Sequence, residues 1–201
     1  MKIVFATQNE GKKREIKRIF QEFDRIELFF LDDFDIKIEP PLENGKGFEE
    51  NAILKARYYK QFFRDFSVVS EDSGLCIDAL YGAPGIFSGR FEGLRNDNEK
   101  CDKILSLIKD VPVEKRVASF VCVVALLGNE TAPKIFTGEV RGKISFSKRG
   151  ENGFGYDPIF IPQGDKRTFA EMGGEKKDDF SHRRKALNKL KEYLVGRFNR
   201  V

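Results

Sequence analysis

Residues 2–23 read KIVFATQNEGKKREIKRIFQEF, and this stretch decides the class of fold. Its first part, KIVFA at 2–6, is a short apolar run with the pattern of a buried strand. A polar loop follows. Ile16, Ile19, Phe20 and Phe23 then fall at i, i+3, i+4 and i+7, which predicts a helix over about 11–23 with one apolar stripe. Lys12, Lys13, Arg14, Lys17 and Arg18 cover the rest of that helix.

The same alternation continues outward. Short strands are expected at 26–31 and 35–38, before Pro40 and Pro41 break regularity. A helix is expected over about 47–65, with Ala52, Ala56, Tyr59 and Phe63 on its apolar face and Asn51, Lys55 and Tyr58 on another. A strand at 67–70 is expected to end in the polar run Glu71-Asp72-Ser73-Gly74. Residues 80–95 read as a Gly-rich ordered loop, 97–109 as a helix, and 116–127 and 134–147 as two strands joined at Gly128-Asn129. The run GGEKKDD reads as flexible. Ser181 caps a last helix to about 195, with Gly196 as its stop signal. Helices and strands alternate first and a strand pair comes later, so the expectation is a mixed α/β sheet.

Composition narrows the function. The 201 residues are 40% hydrophobic and 34% charged, enough for one packed domain with a well-solvated surface. Lys and Arg number 36 against 32 Asp and Glu, for a net charge of +4. That is too weak a bias for wholesale nucleic-acid binding. The longest apolar run, 120–127, is too short to span a bilayer, and the opening residues lack a targeting pattern. Cys76, Cys101 and Cys122 are widely spaced and read as reduced thiols of a cytoplasmic protein. His182 is the single histidine, which leaves little material for a His-based metal or protease site.

Four segments carry candidate chemistry. Thr7-Gln8-Asn9-Glu10-Gly11-Lys12 lies between a strand and a helix, where free backbone N–H groups and the helix dipole attract anions. A plain turn capped by Asn9 accounts for it as well. Glu71 and Asp72 are adjacent carboxylates, costly if dry and unpaired, favourable if they hold a divalent cation. Glu39 is a further candidate ligand. In NGFGYD, Phe154 and Tyr156 are each flanked by glycine, so their rings can stack on a flat base, with Asp157 as an acceptor; alternatively they plug the core. In SHRRKAL, His182 and Arg183 occupy the first turn of a helix, where cations oppose the dipole, which suggests an anionic or polar ligand nearby. A metal-bound nucleoside triphosphate needs all four kinds of group.

With those residues in view, the sequence strongly resembles the Ham1/RdgB-type inosine triphosphate pyrophosphatase family, also called XTP/dITP diphosphatases. The matching pieces are TQNEGKKREI, GFEENAILKA at 47–56, EDSGLCIDALYGAPGIFSGRF at 71–91, GFGYDPIF at 153–160 and SHRRKAL at 181–187, in the family's order. Gly89 stands where the family commonly has Ala, and Gln8 where it has Gly or Asn. The resemblance implies an elongated mixed sheet flanked by helices, one domain over 1–201 with two lobes and a central substrate cleft. It implies a cytoplasmic homodimer that hydrolyses ITP, dITP and XTP to monophosphate and pyrophosphate with magnesium, and no nucleic-acid or membrane partner. By residue it implies that Thr7, Gln8, Asn9, Glu10, Gly11 and Lys12 hold the triphosphate. Glu39 and Asp72 bind magnesium, Asp72 activates water with Glu71 as helper, and Lys55 faces the phosphates. Ser73 contacts substrate, and Phe154, Gly155, Tyr156 and Asp157 form a wall against the purine. Lys177, His182 and Arg183 read the 6-oxo edge, since Lys and Arg carry only donors and a 6-oxo group accepts. Two other readings remain open at this point: a Maf-type diphosphatase, and a nucleotide- or RNA-binding module without catalysis.

Overall fold

The computed structural model describes residues 1–21, 23–129 and 132–198. Among the described residues six strands form one sheet in the order β2-β1-β3-β4-β5-β6. They are β1 (Lys2–Phe5), β2 (Glu27–Phe30), β3 (Ser67–Ile77), β4 (Val117–Leu127), β5 (Lys134–Ile144) and β6 (Phe160–Pro162). β1 pairs in parallel with β2 and β3, and β5 pairs antiparallel with β6, so the sheet is mixed as expected. Among the described residues five helices accompany it: α1 (Glu10–Phe20), α2 (Phe48–Lys60), α3 (Asp97–Leu107), α4 (Gly174–Phe180) and α5 (His182–Phe198).

The chain divides into two compact units. The first comprises residues 1–72, 122–138 and 185–201, the second 73–121 and 139–184, and β3, β4 and β5 each give residues to both. In the first unit, the two-residue period of a strand sorts the side chains of β1 and β3 to two helical layers. Ile3, Phe5 and Val69 pack with Ile16, Ile19 and Phe20 of α1 and with Leu187, Leu190 and Leu194 of α5. Val4 and Val68 pack instead with Tyr59 of α2 and with Phe63 just beyond it. The second unit has its own core, in which Leu75, Ile77, Ile104, Phe120, Ile144, Phe160 and Phe169 are buried together.

Five local expectations give way. No strand forms at 35–38; those residues are irregular, and only Ile38 among them is buried. β3 does not stop at Ser70 but runs through Glu71-Asp72-Ser73-Gly74 to Ile77. The run expected to be flexible contains α4, and α5 continues through Gly196 to Phe198. The Gly-rich stretch holds 3-10 turns within 85–93, broken by a kink at Arg90, Phe91 and Glu92. Ser181 does serve α5 as expected, its Oγ accepting from the Arg184 N–H at 3.3 Å.

Candidate active site

In the first unit, β3 carries two carboxylates on opposite faces. Glu71 follows Val69 to the α1 side, where Lys12 Nζ lies 3.0 Å from Glu71 Oε1 and the Cys122 thiol donates to Oε2 at 3.6 Å. Asp72 follows Ser70 to the α2 side. There Asn51 Nδ2 donates to Asp72 Oδ2 at 3.0 Å and Lys55 Nζ to Oδ1 at 3.1 Å. The Ser70 hydroxyl also reaches α2, donating to the Ala52 carbonyl. The expectation that Glu71 and Asp72 jointly hold one cation therefore meets the pleat: consecutive strand residues diverge.

Asn51 and Lys55 are four residues apart on α2, one turn, and so share the face turned to Asp72. Both are buried, with Asp72 only 6% exposed. Lys55 Nζ is also 2.7 Å from Glu43 Oε1, which places one ammonium between two carboxylates. Burial works against that ammonium, but the charges of Asp72 and Glu43, and hydrogen bonds to both, outweigh it and hold the Lys55 pKa above its ordinary value of 10.5. Glu43 was missed in the sequence because it sits in an irregular segment without a period. Glu39, the expected metal ligand, has a carboxylate 78% exposed and paired with Lys37 at 3.5 Å, while its carbonyl accepts from Tyr58 of α2.

The loop before α1 is built as a helix start. Asn9 Oδ1 accepts from the Lys12 N–H at 3.0 Å, and Thr7 Oγ1 from the Asn9 N–H at 3.2 Å. Gln8 is exposed, Gly11 is buried, and Glu10 pairs with Lys13 at 2.8 Å. The capping role of Asn9 is thus real: it takes up the Lys12 N–H of the first turn, while the Lys12 ammonium pairs with Glu71.

The second unit holds the aromatic and cationic residues. Phe154 is half-buried, with Lys177 Nζ 5.0 Å and the Arg183 guanidinium 5.7 Å from its ring centroid. Asp157 anchors this loop: Oδ2 lies 2.6 Å from Lys177 Nζ and accepts from the Phe154 N–H at 2.9 Å. Asp157 is thus a buried support, whereas the sequence suggested an acceptor for the base. Gly153 is required beside it, since its φ is +81° and an added Cβ would meet Asp157 Oδ2 at 2.0 Å. Arg183 donates to Ser73 Oγ at 3.0 Å, and His182 stacks on Phe120 at 4.8 Å and 9°. Tyr156 departs from the expected wall. Its ring is in the core, its hydroxyl donates to the Ser88 carbonyl at 3.0 Å, and burial raises its pKa above 10.0.

Carboxylate oxygens are the donors that a hard divalent cation takes. Magnesium binds through one or two of them and fills its shell with phosphate and water. Asp72 and Glu43, flanking Lys55, match that requirement. Among the described residues, no three His, Cys, Asp or Glu side chains are grouped to hold an ion by themselves.

The first unit thus holds an Asp–Lys–Asn cluster and the second a cation-flanked phenylalanine. The Ham1 family model matches residues 3–193, and the chain belongs to that family. It is 42% identical over 194 residues to the dITP/XTP pyrophosphatase of Oceanobacillus iheyensis, covering 96% of this chain and 98% of that one. To the dITP/XTP pyrophosphatase of Dictyoglomus thermophilum it is 45% identical over 195 residues, covering 96% and 93%. The solved Ham1 protein of Coxiella burnetii superposes with a TM-score of 0.85 at 38% identity, over 98% of this chain and 99% of that one.

Proposed function

We propose that the chain is a nucleoside-triphosphate pyrophosphohydrolase that converts dITP, XTP and ITP to the monophosphate and pyrophosphate. The observation that carries the reaction is Asp72, buried and held by Asn51 and Lys55 with lone pairs to spare on both oxygens. In this reading water attacks the α-phosphorus and gives its proton to Asp72. The bond to the β-phosphate oxygen breaks, and pyrophosphate leaves with the electron pair. Lys55, Lys12 and the N–H groups at the start of α1 take the phosphates. A unit charge about 4 Å from its partner gains on the order of 4 kcal/mol at an effective dielectric near 20, so several such contacts are needed to hold a triphosphate. Asp72 and Glu43 would hold magnesium, which supplies positive charge to the phosphates when bound.

The base falls to the second unit's residues. Phe154 offers a ring face, and Lys177, Arg183 and His182 offer donors. Donors favour a 6-oxo purine over adenine, whose 6-amino group would leave a buried donor opposite another donor. The biological task would be removal of deaminated purines from the nucleotide pool. The reading extends, by likeness to the family, to a homodimer working in the cytoplasm without nucleic-acid or membrane partners. Among the described residues no helix is long and apolar enough to cross a membrane.

The test is a rate panel of dITP, XTP, dGTP, dATP and dTTP, run with magnesium and then with EDTA. Fast, EDTA-sensitive turnover of dITP and XTP with slow dATP supports the reading. Preference for dTTP, or no turnover at all, overturns it.

A further inference from the structure

The strongest feature outside the groups already assigned lies at the start of α3, in the second unit. Asp97 is the first residue of that helix, where an acid suits the dipole, and Asn96 caps it through bonds from the Asn98 and Glu99 N–H groups. Asp97 also reaches across 58 positions of sequence: its Oδ2 accepts from the Gly155 N–H at 2.7 Å. One helical turn on, the Cys101 thiol donates to the Gly155 carbonyl at 3.5 Å. Gly155 is thus held at both ends of its own residue, in the left-handed region at φ +63°.

Two further contacts tighten the arrangement. Lys100, buried, places Nζ 2.7 Å from Asp97 Oδ1 and 5.8 Å above the Tyr156 ring. Together with the bond from the Phe154 N–H to Asp157, two carboxylates grip the successive N–H groups of residues 154 and 155. Hydrogen bonds to ionised acceptors are the short, strong kind, and two in a row leave the Phe154 backbone little freedom. The ring that the proposed function assigns to the purine is therefore aimed from outside its own loop.

We propose that Asp97 is a positioning residue for base recognition, acting on Phe154 through the Gly155 N–H and not on the phosphates. The inference rests on the proposed function. The test compares wild type with Asp97→Ser, which keeps a good helix start but is too short to reach Gly155, and with Asp97→Asn, which keeps an acceptor there. For each, KM and kcat for dITP are measured with the inhibition constant of inorganic tripolyphosphate, which has no base. The expected result for Asp97→Ser is a KM raised about tenfold, the worth of one charge-assisted contact, with kcat and tripolyphosphate inhibition held within about twofold. Asp97→Asn should restore most of the KM. An unchanged KM in Asp97→Ser overturns the inference, as does parallel weakening of tripolyphosphate, or an Asp97→Asn enzyme as impaired as Asp97→Ser. Should Asp97→Ser not fold, Asp97→Glu keeps the charge, displaces the carboxylate by one methylene, and is held to the same outcomes. Failure of wild type to turn over dITP would sink the proposed function itself, a result distinct from any of these.

Discussion

Glu71 and Asp72 are joined by one peptide bond and serve different helices: Glu71 meets Lys12 of α1 at 3.0 Å, Asp72 meets Lys55 of α2 at 3.1 Å. The pleat of β3 separates them, so their substitutions should fail differently. Asp72→Asn removes the proposed base and should lower kcat by at least ~100-fold. Glu71→Gln loosens Lys12 and should act mainly on KM, by about tenfold, as expected for one charge-assisted contact. Steady-state kinetics on the two variants reads the difference. A kcat collapse in Glu71→Gln equal to that in Asp72→Asn would show that both act on the attacking water.

The carboxylates near Lys55 also separate by position. Glu43 lies 2.7 Å from Lys55 Nζ, whereas Glu39 is 78% exposed and paired with Lys37. Glu43→Gln should raise the magnesium concentration needed for half-maximal rate, and Glu39→Gln should leave it unchanged. A magnesium titration of both variants decides; the reverse pattern would assign the metal role to Glu39 in place of Glu43.

Lys177 and Asp157 form a buried pair at 2.6 Å, with side chains 5% and 3% exposed. Removing one partner of such a pair strands the other charge away from water. Lys177→Met should therefore cost about 3–5 kcal/mol of stability, on top of its effect on base recognition. Urea unfolding of the variant measures this directly, and a loss below about 1 kcal/mol would mean that Asp157 is well compensated without the ammonium.

Alkaline pH should destabilise the fold. Burial pushes the Cys101 thiol up from 9.0 to about 12 and the Tyr59 phenol from 10.0 to about 12, and it raises Cys76 and Tyr156 as well. All four keep their protons in the folded chain and lose them sooner in the unfolded one. Their contribution is complete below pH 9 and is lost as pH rises from there toward about 12. Urea midpoints taken from pH 8 to 11 should fall steadily above 9; a flat or rising series would contradict the assignment.

The parts of the fold set by local pattern are readable in the sequence. The α1 stripe of Ile16, Ile19 and Phe20 is buried as its spacing requires. Asn51 and Lys55 share a helix face because they are one turn apart. What the pattern hid was decided by partners distant in sequence. Glu71 and Asp72 looked like the end of a strand because isolated carboxylates do not belong mid-sheet; Lys12, Asn51 and Lys55 make them tolerable there. The same holds for α4, whose Lys177 is drawn inward by Asp157. Phe154 lies between two glycines and Tyr156 between Gly155 and Asp157, yet both read as loop aromatics; the first is half-buried beside two cations and the second fills the core. The contact that marks the tyrosine as a core residue, its hydroxyl donating to the Ser88 carbonyl, comes from 68 positions away in the sequence.

The central claim is attack of water at the α-phosphorus of a 6-oxo purine triphosphate. It is tested most directly by turning over dITP with magnesium in ¹⁸O-labelled water and weighing the products. The account predicts dIMP carrying one ¹⁸O and unlabelled pyrophosphate. Labelled pyrophosphate with unlabelled dIMP would place the attack on the β-phosphorus, and dIDP with orthophosphate would place it on the γ-phosphorus; either contradicts the account.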